Sequence, residues 1–136
     1  MLMTIAITTF DCGGARIRAH CRHLATVVSI WGEIDRDNID RVGEYLRRFI
    51  LGNSPVVLDM SGVTEFTPAG VALLSMFDDG CNAAGVEWTL VPSEAVSAMV
   101  GDIFGATHSV HEALRGLAEA IDSRRQLVLP LIKKSA

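Results

Sequence analysis

The stretch VVLDMSGVTEFTPAGVALL, residues Val56–Leu74, decides the fold. Its first five residues form a near-continuous apolar run, which is typical of a parallel strand buried on both faces. Ser61-Gly62 interrupts the run and predicts a turn into a short loop. Thr67-Pro68 then predicts a helix start, because threonine can cap a helix and proline suits its first position. Open α/β sheets usually place their functional loops between the carboxyl end of a strand and the next helix.

Outside this stretch, strand and helix patterns alternate with short links, which predicts an α/β fold. Asp11–Gly14 is predicted to form a turn, and Asp37 to cap the first helix. The other predicted strands are Thr4–Thr8, Ala15–His20, Leu24–Trp31, Glu87–Val91 and Thr107–Val110. The predicted helices are Asp37–Leu51, Pro68–Ala84, a third that starts at Pro92-Ser93 and closes at Gly105, and a fourth that ends near Ile121. The apolar tail that remains, residues 122–136, either packs back on the domain or covers a partner.

Two motifs in this order carry a family resemblance. Leu58-Asp59-Met60-Ser61 and Gly70-Val71-Ala72-Leu73-Leu74 resemble the strand end and the glycine with apolar helix of the STAS domain of bacterial anti-sigma factor antagonists. Gly32-Glu33-Ile34-Asp35 resembles a second turn of that family, and the likeness covers about residues 4–121. The resemblance implies a STAS-type mixed, mostly parallel sheet of about five strands with about four helices.

The middle of the main motif departs from the family pattern. Thr67, Pro68 and Ala69 stand where the family has Asp, Ser, Ser, and the second of those serines is the usual phosphoacceptor. Alanine cannot accept a phosphate, so we expect a module that stays unphosphorylated at Ala69. Thr67 is a weak alternative acceptor, although a helix N-cap is the plainer role for it. Thr64 and Ser61 are further hydroxyls in the same stretch.

Composition narrows the function. The 136 residues suit one domain, and 49% hydrophobic with 21% charged residues argues against disorder. The net charge of −4 argues against a nucleic-acid binder, because such proteins usually carry a basic surface. No apolar run is long enough to span a membrane and no leader pattern opens the chain, so we expect a cytoplasmic protein. The odd count of three cysteines (Cys12, Cys21 and Cys81) favours reduced thiols, with a redox pair as the alternative.

Signals of catalysis are poor. The sequence contains no GxSxG, HExxH or phosphate-binding loop, so we expect no enzyme and no cofactor. Two HxxH pairs, His20/His23 and His108/His111, fall on separate elements, and zinc wants three or four close ligands, so we expect no metal. Asp59 is expected to bond the backbone that follows it.

The resemblance therefore implies an interaction module that binds a kinase-like anti-sigma factor and so frees a sigma factor. The expected partner-binding residues lie in two neighbouring links of the sheet: Glu33, Asp35, Arg36, Ser61, Thr64, Thr67, Pro68, Ala69 and Gly70. The alternative is a STAS regulatory subunit of a membrane lipid-transport or stress-signalling assembly. A nucleotide or small-molecule sensor at the Pro68–Gly70 helix start ranks last. The apolar tail and an exposed strand edge would permit a homodimer.

Overall fold

A computed structural model describes residues 9–22, 25–52 and 54–135, with side chains described as far as Asp122. The strands are β1 (Thr9–Asp11), β2 (Ala15–Cys21), β3 (Thr26–Ile34), β4 (Val56–Phe66) and β5 (Trp88–Pro92). The helices are α1 (Ile39–Leu51), α2 (Pro68–Ala84), α3 (Glu94–Val100) and α4 (Val110–Ser135). The strand predicted at Thr4–Thr8 lies outside the described residues.

The sheet has the order β1-β2-β3-β4-β5. β1–β2 and β2–β3 pair antiparallel, whereas β3–β4 and β4–β5 pair parallel, so four of the five strands point the same way. Short turns can join the antiparallel strands, but the two parallel steps need the crossover helices α1 and α2. The predicted mixed, mostly parallel sheet with four helices is confirmed.

Both faces of the sheet are covered, which explains the apolar run in β4. Because successive strand residues point to opposite faces, Val56 and Leu58 pack with one cluster and Val57 with another. The larger cluster also takes buried residues of α1, α2 and α3, and the smaller one takes Ala113 and Leu117 of α4. The fold thus has three layers, with α1, α2 and α3 on one face of the sheet and α4 on the other face.

β4 is longer than predicted. Ser61-Gly62 does not end the strand, which runs on to Phe66 beside an equally extended β3. The pairing shifts register between Ser29 and Trp31, and this irregularity accommodates the glycine. A Cβ at Gly62 would lie 2.6 Å from the Cβ of Trp31, so only glycine allows the two strands to approach this closely. The predicted loop is therefore mostly strand.

The N-cap of the first helix lies one residue later than predicted, and the helix begins at Ile39. Asn38, not Asp37, is the N-cap residue of α1. Asp35 organises the turn, because its Oδ1 accepts hydrogen bonds from the backbone N–H of Asp37 (2.9 Å) and of Asn38 (3.3 Å). An aspartate that bonds the backbone two residues on forms a local turn, and this turn delays the helix.

α2 has the predicted bounds, and Gly85 ends it in the left-handed conformation (φ 72°). Thr67 is its N-cap residue, but the hydroxyl makes no capping bond, contrary to the prediction. The hydroxyl instead donates to the carbonyl of Ile34 at 3.4 Å. In α3 the Oγ of Ser93 does cap, accepting from the N–H of Val96 at 3.2 Å.

Beyond α3 the structure corrects two predictions. Gly101 rather than Gly105 ends α3. Thr107–Val110 is not a strand, since the N–H of Thr107 bonds the carbonyl of Leu90 (2.9 Å) and no ladder follows. Ser109 instead starts α4, where its Oγ accepts from the N–H of Glu112 at 3.1 Å.

α4 continues well past the predicted end near Ile121. It runs as one helix to Ser135, so the backbone of the predicted tail is helical to that residue. In the part of the chain described, no helix combines the length and apolarity needed to cross a bilayer.

Candidate functional site

The carboxyl ends of β3 and β4 lie side by side and lead into two helices. The β3–α1 link is Asp35–Asn38, and the β4–α2 link is Thr67 alone. The N–H of Thr67 donates to the carbonyl of Ile34 at 3.2 Å, so the links touch. Parallel strands place their carboxyl ends at one sheet edge, which is why two segments about 30 residues apart meet here.

Five of the predicted partner-binding residues meet in one open depression. This edge depression has a volume of about 500 Å³ and is lined by Asp35, Arg36, Asp37, Thr67, Pro68 and Ala69. Carboxylates and one guanidinium come from the β3–α1 link, and the uncharged wall comes from the start of α2. The depression thus combines charged and apolar contacts within one small area.

The other predicted residues lie elsewhere. Glu33 is exposed near the end of β3, and Thr64 is exposed on β4, where its hydroxyl donates to the carbonyl of Gly32 at 3.2 Å. Ser61 lies further back on β4, and its Oγ and N–H both donate to Asp59 Oδ1, at 2.6 and 3.1 Å. Gly70 is buried, and a Cβ there would enter the ring of Phe66. Gly70 therefore shapes the site from beneath.

Ala69 also borders a second concavity that the sequence did not predict. This helix groove, of about 480 Å³, lies between α1 and α2. Gly43, Glu44 and Arg47 of α1 line it together with Ala69, Ala72 and Met76 of α2. In the sequence, Met76 falls beside the apolar stripe of α2, yet its side chain is 45% exposed. An apolar residue just off the core stripe was the signal in the sequence that could have indicated the groove.

A buried asparagine holds the β3–α1 link in place. Asn38 is only 1% exposed. Its Nδ2 donates to the carbonyls of Glu33 (2.7 Å) and Gly13 (3.1 Å), and its Oδ1 accepts from the N–H of Asp35 (3.1 Å). The amide thereby ties the β1–β2 turn to the link. Sequence reasoning missed this role, because a buried asparagine looks like any turn asparagine in the sequence.

Two carboxylates face each other beside the edge depression. Glu33 and Glu65 are opposite one another in the β3–β4 register. The hydrogen bond and the negative charge of Glu65 raise the pKa of Glu33 above its ordinary value, with smaller contributions from desolvation and Asp35. Together with Asp35 and Asp37, they make this edge of the sheet acidic.

Two of the three cysteine thiols, those of Cys12 and Cys81, lack the environment of a nucleophile. Cys12 and Cys81 are buried, and no disulfide joins any of the three cysteines. Burial raises the pKa of Cys12, and it raises the pKa of Cys81 to about 11, so both thiols are protonated at neutral pH. Cys21 is exposed.

The histidines do not form a metal centre in the part of the chain described, where no three His, Cys, Asp or Glu residues could hold an ion together. His23 lies outside the described residues. Burial lowers the pKa of His20, with further lowering by Arg22 and Arg18. Its Nδ1 is buried without a hydrogen-bond partner among the described residues.

Comparison with known proteins identifies the family. A sequence model of the STAS domain matches residues 16–124, and the chain belongs to the STAS domain family. Osmosensory protein A of Mycobacterium tuberculosis is 52% identical to this chain over 135 residues, which is 93% of this chain and 85% of that protein.

Solved structures show the same fold at lower identity. An anti-sigma factor antagonist from Mycobacterium paratuberculosis superimposes with a TM-score of 0.65 at 19% identity, over 85% of this chain and 97% of that one. The structure of Mglu superimposes with a TM-score of 0.51, also at 19% identity, over 57% of this chain and 20% of that one. At these identities the likeness is one of fold.

Proposed function

We propose that this protein is an anti-sigma factor antagonist-like interaction module, which binds an anti-sigma factor and so releases a sigma factor. The observation that carries the proposal is the position of Ala69. It lies in the first turn of α2 and borders both the edge depression and the helix groove. A partner that covers this point would contact both concavities at once.

The same position argues for binding without the usual phosphoswitch. A phosphate would add about −1.5 to −2 charges, which an interface would have to desolvate next to Asp35 and Asp37. Ala69 cannot carry it, so partner binding is not switched off there. Thr67 is a poor substitute, because it is half-buried and its hydroxyl points to the carbonyl of Ile34.

The module acts by binding and carries out no reaction. The nucleophilic candidates support this, since two of the three thiols are buried with raised pKa values. The carboxylate of Asp59 on β4 accepts hydrogen bonds from the N–H and the hydroxyl of Ser61. We place the protein in the cytoplasm, where an anti-sigma factor would meet it.

A second candidate function has one observation in its favour. The 52% identical relative is named Osmosensory protein A, which favours a role within a stress-signalling assembly that responds to osmotic strength. The two functions are compatible, since release of a sigma factor can be the output of such an assembly. Partner capture from cells grown at low and at high osmolarity separates them, because only the osmotic role predicts that the captured amount changes.

The proposal is tested by capture of partners from a lysate of the source organism. The bait is the full chain, beside Ala69→Glu and a matched control, Ala83→Glu, which places the same charge at the exposed far end of α2. We expect a kinase-like anti-sigma factor with the native chain and the control, and its loss with Ala69→Glu. Capture of transport subunits instead, or equal capture by all three baits, would contradict the proposal.

A further inference from the structure

We propose that the helix groove receives a helix of the partner protein, and that this helix carries an apolar stripe flanked by lysine or arginine. The inference rests on the proposed function, because the edge depression and the helix groove share Ala69 and would be covered by the same partner. It adds the chemistry and shape of the bound segment.

The shape of the groove suits a helix. α1 and α2 approach closely at Gly43, where a Cβ would lie 3.2 Å from Leu73 Cδ1 and 3.5 Å from Met76 Cε. Alongside this contact, small side chains at Ala69 and Ala72 leave the groove open. No strand edge borders it, so a bound segment must satisfy its own backbone hydrogen bonds, as a helix does.

The α2 wall is uncharged. From Pro68 to Phe77 the sequence of α2 contains no Asp, Glu, Lys or Arg. Ala72 and Met76 are exposed on this wall. Methionine adapts its shape to a bound apolar surface, which makes Met76 a suitable contact for aliphatic side chains. This wall would receive the apolar stripe.

The α1 wall is acidic toward its N-terminal end. Asp40 and Glu44 are four residues apart on α1 and line the same groove. The adjoining edge depression adds Asp35 and Asp37, so four carboxylates and two guanidiniums, those of Arg36 and Arg47, line the two concavities. On its other side Glu44 borders a further concavity with Arg41 and Arg48. Basic side chains along one side of the bound helix would complement this wall.

Arg47 gives the groove a direction. It lies two turns beyond Asp40, and its Nη2 reaches Met76 Sδ at 3.9 Å across the groove. Within the groove, Asp40 is thus at the Ala69 end and Arg47 at the far end, while Arg36 adds a guanidinium to the edge depression beside Ala69. The partner helix should place its basic residues near Ala69 and an uncharged or acidic residue near Arg47.

The test uses a phage-displayed library of helical peptides panned against the full chain. We expect enrichment of peptides with an apolar stripe and flanking Lys or Arg. A synthetic copy of the best peptide should bind Glu44→Lys at least about tenfold more weakly, as like charges meet in place of opposite ones. It should bind Glu119→Lys, the same change on exposed α4, as tightly as the native chain.

A charge swap sharpens the test. The same peptide with its basic residues changed to Glu should bind Glu44→Lys better than it binds the native chain. Enrichment of acidic or extended peptides, failure to enrich any peptide, or equal binding of the best peptide to native chain and Glu44→Lys would overturn the proposal. Circular dichroism of Glu44→Lys checks that it remains folded, as expected for an exposed residue.

The two proposals can fail separately. If the anti-sigma factor is captured through Ala69 but equally well by Glu44→Lys, the proposed function stands and the helix groove is not its docking site. If basic helices are selected and depend on Glu44 while no anti-sigma factor is captured, the groove binds helices and the proposed function is wrong.

Discussion

The β3–α1 link and the β4–α2 link lie side by side at one edge of the sheet, but they are built in different ways. Side-chain hydrogen bonds hold the β3–α1 link, with Asp35 bonding two backbone N–H groups and Asn38 bonding two carbonyls. The β4–α2 link has no side-chain cap, and steric fit shapes it through Pro68 and through Gly70 on the ring of Phe66.

This difference assigns separate tasks to the two links. The hydrogen bonds of Asp35 and Asn38 fix the β3–α1 turn, so the exposed carboxylate of Asp37 can face a partner without holding the fold. A sterically shaped turn leaves the small side chain of Ala69 at the surface. The following predictions test the contrast, from the largest expected effect to the smallest.

Asn38→Ala should be the most destabilising change, lowering the free energy of unfolding by about 3 kcal/mol. It removes three hydrogen bonds of a buried side chain and leaves the carbonyls of Glu33 and Gly13 with fewer donors. Urea denaturation followed by circular dichroism measures the free energy of unfolding. The control is Asp37→Ala, an exposed neighbour that should change stability by less than about 0.5 kcal/mol. Equal losses in both variants would mean that Asn38 does not hold the β3–α1 link.

Gly70→Ala tests the steric link, with an expected loss of about 2 kcal/mol. The added Cβ would enter the buried ring of Phe66, which must move. Gly116→Ala makes the same change in exposed α4, where nothing lies within 4 Å, and should be neutral or stabilising by up to about 1 kcal/mol. The same denaturation measurement compares them, and a neutral Gly70→Ala would show that close packing is not what shapes the β4–α2 link.

The missing cap at Thr67 can be compared with a real one at Ser93. Ser93→Ala should cost about 1 kcal/mol, because it removes the bond to the N–H of Val96. Thr67→Val keeps the side-chain shape and should cost less than about 0.5 kcal/mol, since only a long bond to Ile34 is lost. Thermal unfolding of both variants measures the loss of stability that each substitution causes. A cost at Thr67 as large as that at Ser93 would show that its hydroxyl caps α2 in solution.

The smallest effect concerns the carboxylate pair at the strand ends. The folded-state pKa of Glu33 lies above its ordinary value of 4.5, so the protonated form is favoured in the fold and stability from this group falls as pH rises through the folded pKa. Glu65→Gln removes the repulsion, so the variant should gain stability relative to the native chain at pH 7 but not at pH 3. Unfolding midpoints at both pH values measure the gain. Glu119→Gln serves as control, and a gain independent of pH would refute the pairing.

Local patterns in the sequence predicted the α/β class, the buried start of β4, the bounds of α2 and the start of the third helix at Pro92-Ser93. Each depends on residues within a few positions of one another, such as the apolar period of a helix or the proline at its first turn. The departure at Ala69 was also readable from the sequence alone.

Contacts between distant segments explain the parts that were wrong or missed. Ser61-Gly62 looks like a turn by composition, but pairing with β3 keeps it in a strand, and Gly62 is needed because Trp31 lies against it. The buried amide of Asn38 donates to the carbonyl of Gly13, 25 residues earlier in the chain. Thr67 makes no capping bond because its hydroxyl is directed toward the carbonyl of Ile34, to which it donates.

The sequence by itself therefore determined that the chain is a STAS-type α/β module, and its resemblance to the family puts Ala69 where a phosphoacceptor serine is expected. Only the tertiary structure decided that Asp35, Arg36, Thr67, Pro68 and Ala69 form one depression, and that it adjoins a groove between α1 and α2. The physical reason is the separation along the chain of the residues that interact. Hydrophobic period and turn chemistry act between neighbours in the chain, whereas this depression arises where the sheet brings two separate links to the same edge.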